Sequence, residues 1–466
     1  ACAVHEVPVT MYGLDVFYEP KVTDAHVTRL RSIDTAAAQL AAGLKKKAFS
    51  AQELCRAAIE RIEALDPQIN AVVVRDFERA HTEARLADEA LARGEQKALT
   101  GIPMTVKESF DLRGHATTWG FPLHSEHVAR EDALAVQRLK AAGAVILGKA
   151  NVPPALGDWQ SANPIYGRTN NPYDVTRSPG GSSGGSAAAI AMGFSALEVG
   201  SDIGGSIRVL AMFCGVYGHK ASYGLLPMGG HTAGGSLVAP QLLSVIGPLA
   251  RSAQDLATAL DVIAGPDAES PANKVVLPLP RHGRLGSFRV FVLDHHPVAR
   301  ADSAILGALE KLADHLTREG AAVARQSSLL PDLNVQWKAY QTILHTIITR
   351  GDPSVTRPPI SAHDWLGALD LQLRIRRQWA DFFRHFDIVL CPAFGTPAFP
   401  HSDEPDWRKR PLDMDGGPGN FGSQLGWAGI ATVANLPSTA IPLGLSKDGL
   451  PVGVQALRAT AFATRR

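Results

Sequence analysis

The sequence predicts an α/β protein: a single large mixed β-sheet core covered by helices on both faces. Segments of helical period alternate with short apolar strands along most of the chain, the pattern of a sheet buried between helices. Its 466 residues suffice for one large α/β domain, and no repeat of solenoid period divides them.

The elements follow in order. Residues 1–30 show no periodicity and are read as an irregular N-terminal segment, with the α/β domain spanning 31–466. Ser50 and Glu53 form a capping box ahead of a helix whose face carries Leu54, Ala58, Ile62 and Leu65, and Pro67 is read as its stop. "INAVVV" (69–74) reads as a strand, 76–93 as a helix closed by Gly94, and "GIPMTVKES" as a strand carrying Lys107. A helix over 131–142 leads through Gly143 into strand "AVILG". Then come the small-residue helix "SAAAIAMG", the buried strand "ALEV" and a helix capped by Ser252. Strand "FRVFVL", helix 303–318, strand "AAVAR", helices 334–350 and 362–385 and strand "DIVLCP" follow. "STAIPLG" and "PVGVQAL" end the series as strands. Residues 265–286 are rich in Pro and Gly and 398–423 are loop-like, so about 265–425 is read as a helical, loop-rich insertion in the domain.

Composition excludes several classes of function. Forty-six basic and 45 acidic residues nearly cancel, and no basic block interleaves with aromatics, which argues against nucleic acid or an anionic membrane as partner. No apolar run reaches the roughly 18 residues of a membrane helix, and the first residues lack the pattern of a signal peptide. Cys2, Cys55, Cys214 and Cys391 are scattered without CxxC spacing; free thiols in a reducing cytosol are expected, hence a cytoplasmic protein. His124 and His127 of "HSEH" lack a third ligand, so no metal and no cofactor are expected.

Two glycine–serine clusters are the chemical features. Gly180-Gly181-Ser182-Ser183-Gly184 fits G-x-S-x-G, but a nucleophile elbow needs a strand running into the serine, and "NPYDVTRSP" is turn-forming. "ALEVGSDIGGSIR" is different: strand, tight turn, then Ser206. Backbone N–H groups of Ile203, Gly204, Gly205 and Ser206 can converge there as an oxyanion hole, each donor worth about 3 kcal/mol. A serine needs a base. No histidine sits in a pairing motif, and His219 reads as a packing or hydrogen-bonding residue. Lys107 ends an apolar run, where desolvation would lower its pKa toward the range of a general base; the plain alternative is a lysine snorkelling from a strand end. Asp202 and Arg208 flank the second turn, either as an ion pair holding it rigid or as two solvated charges.

Lys107, "RSPGGSSGGS" and "GSDIGGSIR", at these separations, resemble the amidase signature family. "SANPIYGRTNNPYD", "FCGVYGHKASYG", "GPLARSAQDLA", "NLPSTAIPLG" and "GLPVGVQ" extend the resemblance over roughly 50–455. It implies a Ser–Ser–Lys triad: Ser206 the nucleophile, Ser182 the bridging serine after a cis peptide bond from Gly181, and Lys107 the base, with Ser183, Asp202 and Arg208 supporting them. The sequence departs from the family at Ala150, Pro154, Leu210 and Ala221, positions that bear on substrate shape. Trp159, Gly181 and Leu242 are expected to line the substrate pocket, with the Gly-rich stretch 228–243 as a mobile wall. The expected function is hydrolysis of small apolar or aryl amides through an acyl-enzyme. An aryl-carbamate (urethane) or ester hydrolase with the same triad is the near alternative, and an amidotransferase A-type subunit the farther one. The only partner expected is the small-molecule amide or carbamate, with a homodimer left open. A non-catalytic binding protein and a histidine-based G-x-S-x-G esterase are the readings that the lysine and both serines argue against.

Overall fold

Eight strands form the main sheet of the computed structural model, in the order Ala322–Ala324, Arg289–Val292, Ile388–Cys391, Pro451–Leu457, Ser438–Leu445, Tyr217–Lys220, Val245–Ala250 and Leu197–Asp202. The first three are parallel and every later pairing is antiparallel, so the sheet is mixed. Residues 36–235, 241–267, 277, 281–349, 359–407 and 409–460 are described; the segment 1–30 lies outside them, as does Cys2.

Both faces of the sheet are covered. Leu197 pairs with Ala250 and Glu198 with Leu249, and side chains alternate along a strand, so Ala250 and Leu249 look opposite ways. Leu197, Val199, Ile246 and Ala250 pack on Leu256, Ala257 and Leu260 of the helix Ala253–Ile263. On the other face Leu249 and Ala440 pack on Ala187 and Ile190 of Gly184–Ala191 and on Leu210 and Ala211 of Arg208–Phe213. A second, three-stranded sheet (Val72–Arg75, Val145–Ala150, Pro103–Lys107) lies beside the Leu197–Asp202 edge. Ala196 N–H donates to Pro103 O at 3.1 Å and Thr105 N–H to Ser195 Oγ at 2.9 Å. That side-by-side placement brings Lys107, at the end of one strand, to the strand that leads into Ser206.

One expectation is corrected. The helix opened by the Ser50–Glu53 capping box runs to Ile69, past Pro67. Asn70 ends it, adopting a left-handed conformation (φ 59°) while its N–H donates to Asp66 O, and the Asp66 carboxylate then receives the N–H groups of Ala71 and Val72. The stretch read as an insertion also contributes strands Arg289–Val292, Ala322–Ala324 and Ile388–Cys391 to the main sheet. Its helices Leu333–Ile348 and Ala362–Phe382 carry Tyr340, Ile343, Trp379 and Phe382 into a core shared with Trp427 and Ile430. It is part of the body of the sheet, because short parallel strands are completed by helical crossovers rather than by tight turns.

Candidate active site

Lys107 is wholly buried at the end of its strand, which rules out the snorkelling alternative. Its Nζ lies 2.7 Å from Ser182 Oγ and 2.9 Å from Ser201 Oγ. Burial pushes its pKa down to about 7, against the opposing pull of the Asp202, Glu198 and Glu108 carboxylates. A neutral amine at this position can accept a proton from Ser182 while donating to Ser201. Sequence reasoning passes over Ser201, although a signal exists: it stands on the strand that runs into the glycine turn.

Ser182 follows a cis peptide bond from Gly181. Gly181 is needed on space alone: a Cβ there would come 2.3 Å from Asp158 O and 3.0 Å from both Gln160 N and Gln160 O. Ser183, behind it, donates to Ser206 O at 2.6 Å, tying the first cluster to the second. Ser206 is 6% exposed, against 1% for Ser182 and none for Lys107, so it is the most accessible of the three.

Asp202 and Arg208 are both fully buried and paired, not solvated. Arg208 donates to both carboxylate oxygens, at 3.0 and 2.8 Å. Its remaining donors reach Ala428 O, Gln455 Oε1 and Thr432 Oγ1. Asp202 in turn accepts the N–H groups of Gly205 and Ile207. Burial pushes its carboxyl up, but the Arg208 guanidinium and these bonds prevail and hold it at about 2.

The turn itself corrects one expectation. Gly205 N–H is donated to Asp202 Oδ1 at 3.0 Å, so it is not a free oxyanion donor, because an N–H has one proton to give. Gly205 stands at φ 92°, a conformation glycine adopts without cost. Trp159 does not stand open to a pocket: it is 1% exposed, its Nε1 donates to Gly204 O at 3.0 Å, and it packs on Phe394, Trp407 and Phe421. Its indole holds the turn from behind. Leu242 is half-buried against the same cluster as Ile203 and Leu425. In the predicted wall, Met228 and Gly229 N–H groups donate to Asp267, and 236–240 lie outside the described residues.

Neither His219 nor His231 offers a competing base. His219 Nδ1 lies 2.9 Å from Thr439 Oγ1, and burial together with Lys220 holds its pKa down at about 3. His231, beside Ser109 Oγ, is held equally low by burial and Lys107. Among the described residues no group of three His, Cys, Asp or Glu side chains could hold a metal ion, and no helix is long and apolar enough to cross a membrane. Cys55, Cys214 and Cys391 are free and buried.

Comparison with known proteins identifies the family. The Amidase family model matches residues 53–351 and 355–460. The chain is 32% identical to an indoleacetamide hydrolase of Bradyrhizobium diazoefficiens, over 91% of this chain and 82% of that protein. It is 38% identical to a glutamyl-tRNA(Gln) amidotransferase subunit of Methylococcus capsulatus, over 90% and 92%. Among solved structures, 6-aminohexanoate cyclic dimer hydrolase superposes with a TM-score of 0.77 at 27% identity, over 92% of this chain and 94% of that one. The chain belongs to the amidase signature family and is a hydrolase acting on amide C–N bonds.

Proposed function

We propose that the chain hydrolyses small apolar or aryl amides through a Ser206 acyl-enzyme, with Ser182 as proton relay and Lys107 as base. The observation that carries this reading is the 2.7 Å contact between Ser182 Oγ and a Lys107 Nζ whose burial keeps it near pKa 7. A base poised near neutrality takes a proton without being a permanent cation.

In the first half-reaction Ser206 Oγ attacks the carbonyl carbon. Its proton passes to Ser182 Oγ as the Ser182 proton passes to Lys107 Nζ. The carbonyl π pair moves onto oxygen, and the oxyanion is received by N–H groups of the Ile203–Ser206 turn, Gly205 excepted. Collapse re-forms the carbonyl and breaks the C–N bond, while the Lys107 proton returns through Ser182 to the leaving nitrogen. Water then attacks the ester by the same relay, giving the acid and free Ser206.

The apolar character of the substrate is supported by the side chains beside the turn: Ile203, Leu242 and Leu425 pack on one cluster with Trp427. The relatives' names point the same way, with an indoleacetamide hydrolase and a human fatty-acid amide hydrolase at 32% and 30% identity. Aryl carbamates fit the same acyl-transfer chemistry and are the second substrate class to assay. The buried, unpaired cysteines support a cytoplasmic setting.

The test is a panel of an anilide, a primary amide, an aryl carbamate and a p-nitrophenyl ester, assayed on the wild type, Ser206→Ala and Lys107→Ala. Activity should fall on the order of a thousandfold or more in both variants, since members of such a relay act as a unit. Retention of amidase activity by Lys107→Ala would overturn the relay, and the best wild-type substrate decides between amide and carbamate.

A further inference from the structure

We propose that Tyr340 is a positioning residue for the oxyanion donors, acting on the peptide between Ile203 and Gly204 from the far side of the turn. The inference rests on the acyl-enzyme reading above and assigns a role within it to the helix Leu333–Ile348, which no motif marks.

Each carbonyl of the turn is held by a different partner. Tyr340 Oη donates to Ile203 O at 2.8 Å, Trp159 Nε1 to Gly204 O at 3.0 Å, and Val209 N–H to Gly205 O at 2.8 Å. In a planar trans peptide the C=O and the following N–H point in opposite directions. Holding these three oxygens therefore aims the N–H groups of Gly204, Gly205 and Ser206 the other way. Gly205 N–H ends on Asp202. The Gly204 and Ser206 N–H groups are left for the substrate oxygen. The Ser206 peptide is held locally by Val209, at the start of the helix Arg208–Phe213, so the Gly204 donor is the one that depends on the distant Tyr340 side chain.

Tyr340 is suited to that task. It is fully buried, and burial holds its phenol far above the ordinary range, so it remains a hydrogen-bond donor at any working pH. Its ring is seated against Gly429, where a Cβ would come 2.6 Å from Tyr340 Cδ1. Gln336, one turn earlier on the same helix, donates to Ile430 O and accepts from Trp379 Nε1. The helix is thereby fixed to Leu425–Val433, whose Ala428 O and Thr432 Oγ1 also receive Arg208. One helix thus indexes both the Arg208 brace and the Tyr340 brace.

The experiment measures kcat, KM and the Ki of an arylboronic acid, which forms a tetrahedral adduct on the nucleophile, for the wild type and Tyr340→Phe. The phenylalanine keeps the ring and removes only the donor. A misaimed donor should lower kcat on the order of tenfold, short of the loss from deleting one outright. KM should change little, the boronate Ki should rise in proportion to the fall in kcat, and the acid limb of the pH–rate profile should stay in place. If Tyr340→Phe does not accumulate as folded protein, Gly429→Ala decides: its methyl displaces the ring with the hydroxyl intact and should likewise lower kcat and raise the boronate Ki. Wild-type kcat in a folded variant overturns the inference, and so does a fall in kcat with an unchanged boronate Ki. Either result leaves the relay standing if Ser206→Ala and Lys107→Ala are inactive, whereas activity in those two variants removes the acyl-enzyme reading itself.

Discussion

Lys107 gives the sharpest prediction, because its burial converts directly into a pH–rate profile. An unperturbed lysine near 10.5 is neutral in only about 0.03% of molecules at pH 7, whereas one at about 7 is neutral in about half. Burial therefore raises the population of competent base on the order of a thousandfold. Measured with an anilide from pH 5 to 9, kcat/KM should be half-maximal near pH 7 and fall about tenfold per pH unit below that, since this ratio reports the free enzyme. Ser201→Ala then tests the assignment. Ser201 Oγ accepts from Lys107 Nζ at 2.9 Å, and such a bond is stronger when the donor is an ammonium. Losing it disfavours the charged form, so the acid limb should move to lower pH by up to about one unit, one unit corresponding to about 1.4 kcal/mol. A profile flat from pH 5 to 9 would refute the reasoning, as would a limb centred above pH 9 or one that Ser201→Ala shifts upward.

Three further outcomes follow from the same geometry. Arg208→Met strands the buried Asp202 carboxylate and should cost about 3–5 kcal/mol in urea unfolding; a cost below about 1 kcal/mol would mean the pair is not what holds the turn. Glu198 is buried beside Thr105, and desolvation lifts its pKa from 4.5 to about 8. The folded state thus keeps a proton that the unfolded state loses, and this carboxyl's contribution declines from pH 4.5 and is lost above pH 8. Glu198→Gln should raise the thermal midpoint relative to the wild type at about pH 8–9 and hardly at about pH 5, and an equal effect at both would reject the assignment. Gly181→Ala, whose methyl would meet Asp158 O at 2.3 Å, should displace Ser182 and lower kcat on the order of a hundredfold; wild-type kcat would show that the backbone yields there.

The parts legible in the sequence were those written in local pattern. The capping box at Ser50, the small-residue helix after Ser183 and the strand before Ser206 each follow from spacing within one segment, whereas the roles of Lys107, Ser182 and Ser206 came from the family resemblance and not from spacing. What escaped was set by contacts between segments. Trp159 reads as a pocket residue because tryptophan is large and apolar, yet its Nε1 is used by Gly204 O and its ring by Phe394 and Phe421. Gly205 reads as an oxyanion donor because it lacks a side chain, and only Asp202's folded position shows its N–H to be taken. Tyr340 carries no signal, lying 137 residues from its partner Ile203 on an ordinary amphipathic helix.

The Asp202–Arg208 pair solves a conflict built into this kind of base. The glycine turn needs an anchor, and a carboxylate receiving Gly205 and Ile207 N–H supplies one. That same carboxylate raises the pKa of Lys107, and an unopposed negative charge in a low-dielectric interior would restore the ammonium and remove the base. Arg208 resolves this by donating to both Asp202 oxygens and dispersing its other donors onto Ala428, Thr432 and Gln455. The pair is neutral as a whole, so the turn gains a rigid acceptor while burial still outweighs the pull of Asp202 on Lys107. Asp202 could be replaced by an amide and still accept an N–H, but the amide would offer Arg208 no charge and leave a buried guanidinium unpaired. A carboxylate and a guanidinium are therefore needed together.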